Sequence, residues 1–80
     1  MPTVLIKNGF RFFFYSADRD EPVHIHVEFG DTKAKFWLNP IQLASSFKMK
    51  SRDLKNARII IEENQQMIEK EWYEYFSKKN

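Results

Sequence analysis

Two histidines and a glutamate alternate within the stretch HIHVE, at His24, His26 and Glu28. Side chains two residues apart on a β-strand point to the same face, so a strand here would present all three together. Two imidazoles and a carboxylate form a donor set that zinc, iron and manganese accept. The sequence therefore makes these three residues candidate ligands of a divalent metal and indicates no other cofactor.

The carboxylate ligand has alternatives. In the hairpin described below, Glu28 lies opposite Lys33, and a cross-strand ion pair would occupy its carboxylate. Asp18, Asp20 or Glu21 of the preceding polar segment could fold back and take that place. The plainer interpretation is a pair of surface or partner-facing histidines without a metal.

The same histidines could also act directly as catalytic residues. Imidazoles titrate near neutral pH, so His24 and His26 could share general acid and base roles. Lys33, Lys35 and Arg11 could then hold a phosphate, which makes RNA a conceivable substrate. The chain has no cysteine and no serine in a recognisable catalytic motif, so no nucleophile accompanies them.

A run of basic residues offers a third candidate site. Residues 48–58 carry a net charge of +4, whereas residues 62–74 carry a net charge of −4. Positive side chains near a helix start oppose the helix dipole, and an anion, a nucleic-acid backbone or an acidic partner would relieve them. A solvated face screened by salt is the alternative. The candidate partner- or anion-binding residues are Trp37, Lys35, Lys48, Lys50, Arg52 and Lys55.

A β-hairpin over residues 23–38 must position most of these side chains. Its two alternating runs meet at Gly30-Asp31, which suits a type II′ turn and places Phe29 opposite Thr32 and His24 opposite Trp37. One face is then apolar and belongs to the core: Val23, Ile25, Val27, Ala34, Phe36 and Leu38. The other, named here the histidine face, carries His24, His26, Glu28, Lys33, Lys35 and Trp37. We expect two aromatic side chains to be exposed on the histidine face: Trp37 and, from the preceding strand, Phe13.

The remaining elements complete an α+β fold of about four antiparallel strands packed by one long helix. Asn8-Gly9 indicates a first hairpin, followed by an apolar strand. Asn39-Pro40 resembles a helix start and predicts a short helix over residues 40–46, with a fifth strand as the less favoured alternative. Apolar residues spaced by three and four predict the long helix over about residues 52–76, whose end could overhang or bend.

Composition limits the classes of protein. Eighty residues correspond to one domain, 1–80, and 42% apolar residues suffice for a core. No disulfide is possible without cysteine, and no signal peptide or membrane span is recognisable. A small cytoplasmic protein is expected. The net charge of +2 leaves nucleic-acid binding open.

Several motifs together resemble a family of small bacterial proteins known as domain of unknown function 4160. They are Phe12–Tyr15, Glu21-Pro22, His24–Val27, Ala34–Pro40, Leu43-Ala44 and Asn64–Phe76. Val23 departs from the family pattern, which usually has a second proline before the first histidine. The resemblance implies a bacterial protein paired with a small protein encoded nearby, in a toxin–antitoxin-like arrangement. The family resemblance supplies no established catalytic residues for this chain.

These observations predict a protein-partner binding module that uses the histidine face, with the nearby-encoded protein as partner. The alternative is a toxin-like enzyme acting on RNA through His24 and His26, directly or through a bound metal. No interaction with a membrane is expected.

Overall fold

Five antiparallel strands and two helices make up the computed structural model, which describes residues 3–77. The strands form one sheet in sequence order, so every neighbouring pair is a hairpin or a simple antiparallel connection. A single 3-10 turn, Ser16–Asp20, lies between the second and third strands. The strands are β1 (Thr3–Lys7), β2 (Phe10–Phe13), β3 (His24–Phe29), β4 (Thr32–Leu38) and β5 (Ile41–Phe47), and the helices are α1 (Ser51–Glu63) and α2 (Gln65–Ser77).

The two predicted hairpin turns are confirmed by their backbone angles. Asn8 and Gly9 both have positive φ, 54° and 85°, as a type I′ turn requires. In the second turn Gly30 alone has positive φ, 61°, as in type II′. The pairing of β3 with β4 runs from Phe29 opposite Thr32 to His24 opposite Trp37, which is the predicted register.

The core lies between the apolar face of the sheet and the two helices, so the predicted α+β class is correct. Ile25, Val27, Phe36 and Leu38 are each no more than 2% exposed. The helices contribute a buried stripe at the predicted spacing, which consists of Ala57, Ile60, Ile61, Ile68 and Trp72.

The short helix predicted over residues 40–46 is wrong, because this segment forms β5. Asn39-Pro40 makes a tight turn, and Leu38 pairs with Ile41 directly across it. Without β5, the outer backbone groups of β4 would lack hydrogen-bond partners. The sheet therefore has five strands instead of about four, and β5 takes the edge. A bulge at Ala44 interrupts its pairing with β4.

The predicted long helix is interrupted at Asn64, which separates α1 from α2. The side-chain amide of Asn64 donates to the Ile60 carbonyl oxygen at 2.8 Å, which caps α1. Next to the break, Gln65 Nε2 donates to the Leu38 carbonyl oxygen at 2.7 Å and ties the helices to the end of β4. Within residues 3–77, no helix is long and apolar enough to cross a membrane.

Candidate functional site

The 3-10 turn carries Asp18 over the start of β3. Its backbone N–H donates to the Tyr15 carbonyl oxygen at 3.0 Å, and Tyr15 N–H donates to Asp18 Oδ2 at 2.8 Å. Glu21 N–H closes the turn by donating to the Asp18 carbonyl oxygen at 3.1 Å. These three bonds fix the carboxylate, which is 7% exposed as a residue, above the two histidines.

Asp18, His24 and His26 form what we call the Asp-His-His cluster. Asp18 Oδ2 lies 3.0 Å from His26 Nε2 and 3.2 Å from His24 Nε2. One potential ligand atom from each of the three residues lies within 4.8 Å of the other two. The structure thus brings both predicted histidines together with one of the carboxylates that the sequence offered as an alternative ligand.

His24 is fully buried, with 0% of its surface exposed. Its Nδ1 lies 2.8 Å from the Pro22 carbonyl oxygen, which can only accept, so Nδ1 carries the proton. Its Nε2 is buried and has no hydrogen-bond partner. The rings of Trp37 and Trp72 lie at centroid distances of 5.5 and 5.0 Å from the imidazole. Helix α2 therefore covers this end of the histidine face through Trp72.

His26 is half-buried between aromatic rings. Its imidazole stacks on Phe13 at 5.6 Å and meets Tyr15 edge-on at 4.6 Å. Burial lowers the pKa of His26 below its ordinary value, although the neighbouring Asp18 carboxylate acts in the opposite direction. The neutral imidazole is thus favoured. Phe13, expected to be exposed, is 1% exposed because these rings and the Arg11 guanidinium cover it.

Glu28, the carboxylate first predicted as a metal ligand, is not part of the Asp-His-His cluster. It lies two residues further along β3, where its Oε1 is 3.3 Å from Arg11 Nη1. Glu21 also has another partner, since Lys35 Nζ donates to its Oε1 at 2.6 Å and lowers its pKa. Lys35 additionally lies over the Trp37 ring at 4.6 Å.

A second candidate surface adjoins the cluster along β5. Residues 42–47 are all exposed, on both faces of the sheet. A groove of about 170 Å³ borders it on the histidine face, and His26 forms one wall. The other residues that line the groove are Lys33, Ala34, Lys35, Ser45, Ser46 and Phe47. We call residues 42–47 together with this groove the β5 edge surface.

The basic run divides at the end of β5. Lys48 follows the strand directly, and its Nζ lies 5.3 Å from the centre of the Phe47 ring. Met49 is buried and anchors the connection. Lys50, Arg52 and Lys55 are exposed at the start of α1, where Arg52 Nε lies 3.9 Å from Asp53 Oδ1. Of the residues in the predicted basic run, therefore, only Lys48 adds directly to the positive charge of the β5 edge surface.

The fold and site define a small α+β protein: a five-stranded meander with two helices packed on its apolar face and an Asp-His-His cluster at the start of β3, where Trp72 of α2 contacts His24. The family model described as "Domain of unknown function (DUF4160)" matches residues 9–73. The chain belongs to this family, as the sequence motifs indicated. No curated protein and no solved structure matches it.

Proposed function

We propose that the protein is a partner-binding module that holds an extended, acidic segment of a second protein along the outer edge of β5. The observation that carries this proposal is the exposure of every residue from Gln42 to Phe47 on an edge strand without a charged side chain. A bacterial cytoplasmic setting and a small partner encoded nearby complete the proposal, following the family resemblance.

The backbone of β5 supports this binding mode. The strand pairs with β4 on one side, and among residues 3–77 no strand pairs with its other side. Its outward N–H and C=O groups can therefore pair with an added strand, a common mode of peptide recognition.

The side chains of β5 support the same mode. Phe47 is 57% exposed and Leu43 is 41% exposed, which is high for such large apolar residues on a strand. The register with β4 places Phe47 on the histidine face and Leu43 on the helix side. An added strand would contact both faces through its alternating side chains. A side chain on the histidine face would reach the groove beside Lys33.

The charge around β5 indicates what kind of segment would bind. Lys33 lines the groove and Lys48 follows the strand, whereas the charge of Lys35 is paired with Glu21. The strand itself has no acidic residue. Acidic side chains on the incoming segment would complement this charge. A second copy of the chain fits poorly, since symmetric β5–β5 pairing would bring like charges together.

The RNA-acting alternative receives less support from the geometry. His24 is fully buried, so it cannot exchange protons directly with a bound substrate. Of the two histidines, only His26 lines the groove beside β5. Growth of a host after induced expression tests this alternative, because arrest relieved by substituting both His24 and His26 at equal protein levels would favour a toxin over a binding module.

Site-specific crosslinking tests the partner proposal. A photoreactive amino acid is placed at Ser45 on β5, and at Lys70, an exposed residue of α2, as the matched control. After irradiation in native cells, the crosslinked peptides are sequenced. We expect an acidic segment of one other protein to crosslink from position 45 and not from position 70.

Charge reversal then tests the proposed recognition in the purified complex. Lys33→Glu should weaken binding by about three- to tenfold, because it replaces an attraction of up to ~1 kcal/mol with a repulsion. Lys70→Glu makes the same change of charge away from β5 and should leave binding unaltered. The proposal is wrong if position 45 crosslinks to nothing, or to another copy of the chain. Equal binding by Lys33→Glu and wild type also contradicts it.

A further inference from the structure

We propose that Asp18, His24 and His26 bind a divalent first-row transition metal, with Zn²⁺ as the representative ion. This site shares His26 with the groove beside β5, but different observations carry it, and its test does not depend on a partner. The three ligand atoms are Asp18 Oδ2, His24 Nε2 and His26 Nε2.

The two distances from the Asp18 carboxylate to the histidines fit a shared cation. Bonds of about 2.0–2.1 Å place two ligand atoms ~3.3 Å apart at a tetrahedral angle and ~2.9 Å apart at a right angle. The measured distances from Asp18 Oδ2 to the two imidazole nitrogens are 3.2 and 3.0 Å. The aspartate can therefore share a metal with each histidine without a rearrangement of the backbone.

The buried Nε2 of His24 gives an independent indication of a ligand. Because Nδ1 donates to the Pro22 carbonyl oxygen, Nε2 is the ring nitrogen that faces the cluster. There it faces the Asp18 carboxylate at 3.2 Å, in a fully buried position and without a hydrogen bond. A buried ring nitrogen without a hydrogen bond and a carboxylate oxygen thus face each other, and a metal ion bound to both atoms would satisfy them.

The surroundings of the cluster resemble those of metal sites. Metal-ligating histidines commonly donate their second ring N–H to a backbone carbonyl, as His24 does to Pro22. The Tyr15 backbone N–H holds Asp18 Oδ2, and the rings of Phe13 and Tyr15 orient His26. In the metal-free protein His26 Nε2 donates to Asp18, so metal binding would displace the proton on that nitrogen.

The donor set indicates which metals would bind. Two imidazoles and one carboxylate, without a thiolate, suit zinc and non-haem iron. Three protein ligands leave at least one coordination position for water or another molecule, which distinguishes this site from closed structural zinc sites. His26, whose side chain is 16% exposed, lies on the side of the cluster that borders the β5 groove.

Metal titration tests the site. The whole chain is stripped with a chelator and titrated with ZnCl₂ by calorimetry, and with Co²⁺ to record its visible spectrum. We expect one ion per chain, a Co²⁺ spectrum of low coordination number, and a higher melting temperature that chelator reverses.

Two variants on β3 make this test specific. His26→Gln should weaken Zn²⁺ binding by more than about tenfold, since it removes a ligand. Glu28→Gln, two residues along the same face, should leave the affinity unchanged. His26 is half-buried, so this variant is suited to retain the fold, which circular dichroism checks.

Three results would overturn the site. They are the absence of stoichiometric Zn²⁺ binding by the wild type, equal affinity of His26→Gln, and loss of binding in Glu28→Gln instead. Nitrogen NMR of the metal-free chain adds a fourth. If both ring nitrogens of His24 are protonated at neutral pH and added Zn²⁺ leaves them so, a proton occupies the place assigned to the metal.

Discussion

Asp18→Asn should destabilise the metal-free protein, because this carboxylate connects the 3-10 turn to β3. Asp18 Oδ2 accepts hydrogen bonds from Tyr15 N–H at 2.8 Å and from His26 Nε2 at 3.0 Å. Asparagine has nearly the same shape and retains an oxygen acceptor, so the substitution removes the negative charge with little change of volume.

The size of the effect follows from these two bonds. A hydrogen bond to a charged group contributes about 1.5–3 kcal/mol, against about 0.5–1.5 kcal/mol for a neutral pair. We expect a net loss of about 1–2 kcal/mol in the free energy of unfolding, or about 4–16 °C in melting temperature for a domain of this size.

Thermal and urea unfolding in the presence of chelator measure this loss. Asp20→Asn is the matched control, since Asp20 belongs to the same turn but is exposed. Its effect should stay within about 0.5 kcal/mol. A variant Asp18→Asn as stable as the wild type, or equal losses in both variants, would refute the role assigned to the carboxylate.

Two further predictions concern pH and the turns. Because burial lowers the pKa of His26, the folded chain binds fewer protons than the unfolded chain, so metal-free stability should decrease as the pH falls below the ordinary histidine value of 6.5. Urea unfolding across this pH range measures the decrease in the free energy of unfolding. We expect a smaller decrease in His26→Gln than in the wild type, and an equal decrease in the two proteins would contradict the role of His26. Gly30→Ala should destabilise more than Gly9→Ala: the first central position of a type II′ turn lies in a region of φ and ψ that in effect only glycine adopts, whereas the second position of a type I′ turn imposes left-handed strain of roughly 1–2 kcal/mol and a Cβ contact of 3.0 Å with the ring edge of Phe29. Thermal melts compare them, and the reverse order would contradict the turn geometry.

The central hairpin could be predicted from the sequence because two independent signals agree there. Gly30-Asp31 sets the turn, and the alternation of apolar and polar residues sets which face is buried. A slip of one residue would have reversed both faces, so the register of β3 and β4 was strongly determined.

The error at β5 arose because a local signal has two meanings. Asn39-Pro40 is a good helix start but also a good tight turn. The unpaired edge of β4 decides between them, and that edge exists only once the sheet has formed. The break at Asn64 has a similar cause, since Gln65 reaches the end of β4, 27 positions away in sequence.

The metal-ligand set could be predicted only in part. His24 and His26 follow from strand alternation, but the position of Asp18 depends on a polar turn whose fold-back has no periodic signal in the sequence. The burial of His24 by Trp72 depends on a helix 48 positions away. Contacts of this kind arise from tertiary packing and cannot be deduced from local spacing.

Amide hydrogen exchange of the chain with and without its crosslinked partner tests the central claim most directly. In the free protein the outward amides of β5 face solvent and should exchange rapidly, since an edge strand lacks a second neighbour. The account predicts that partner binding slows exchange within residues 41–47 and leaves α2 unchanged. Unaltered exchange in β5, with protection on α2 or β1 instead, would contradict it.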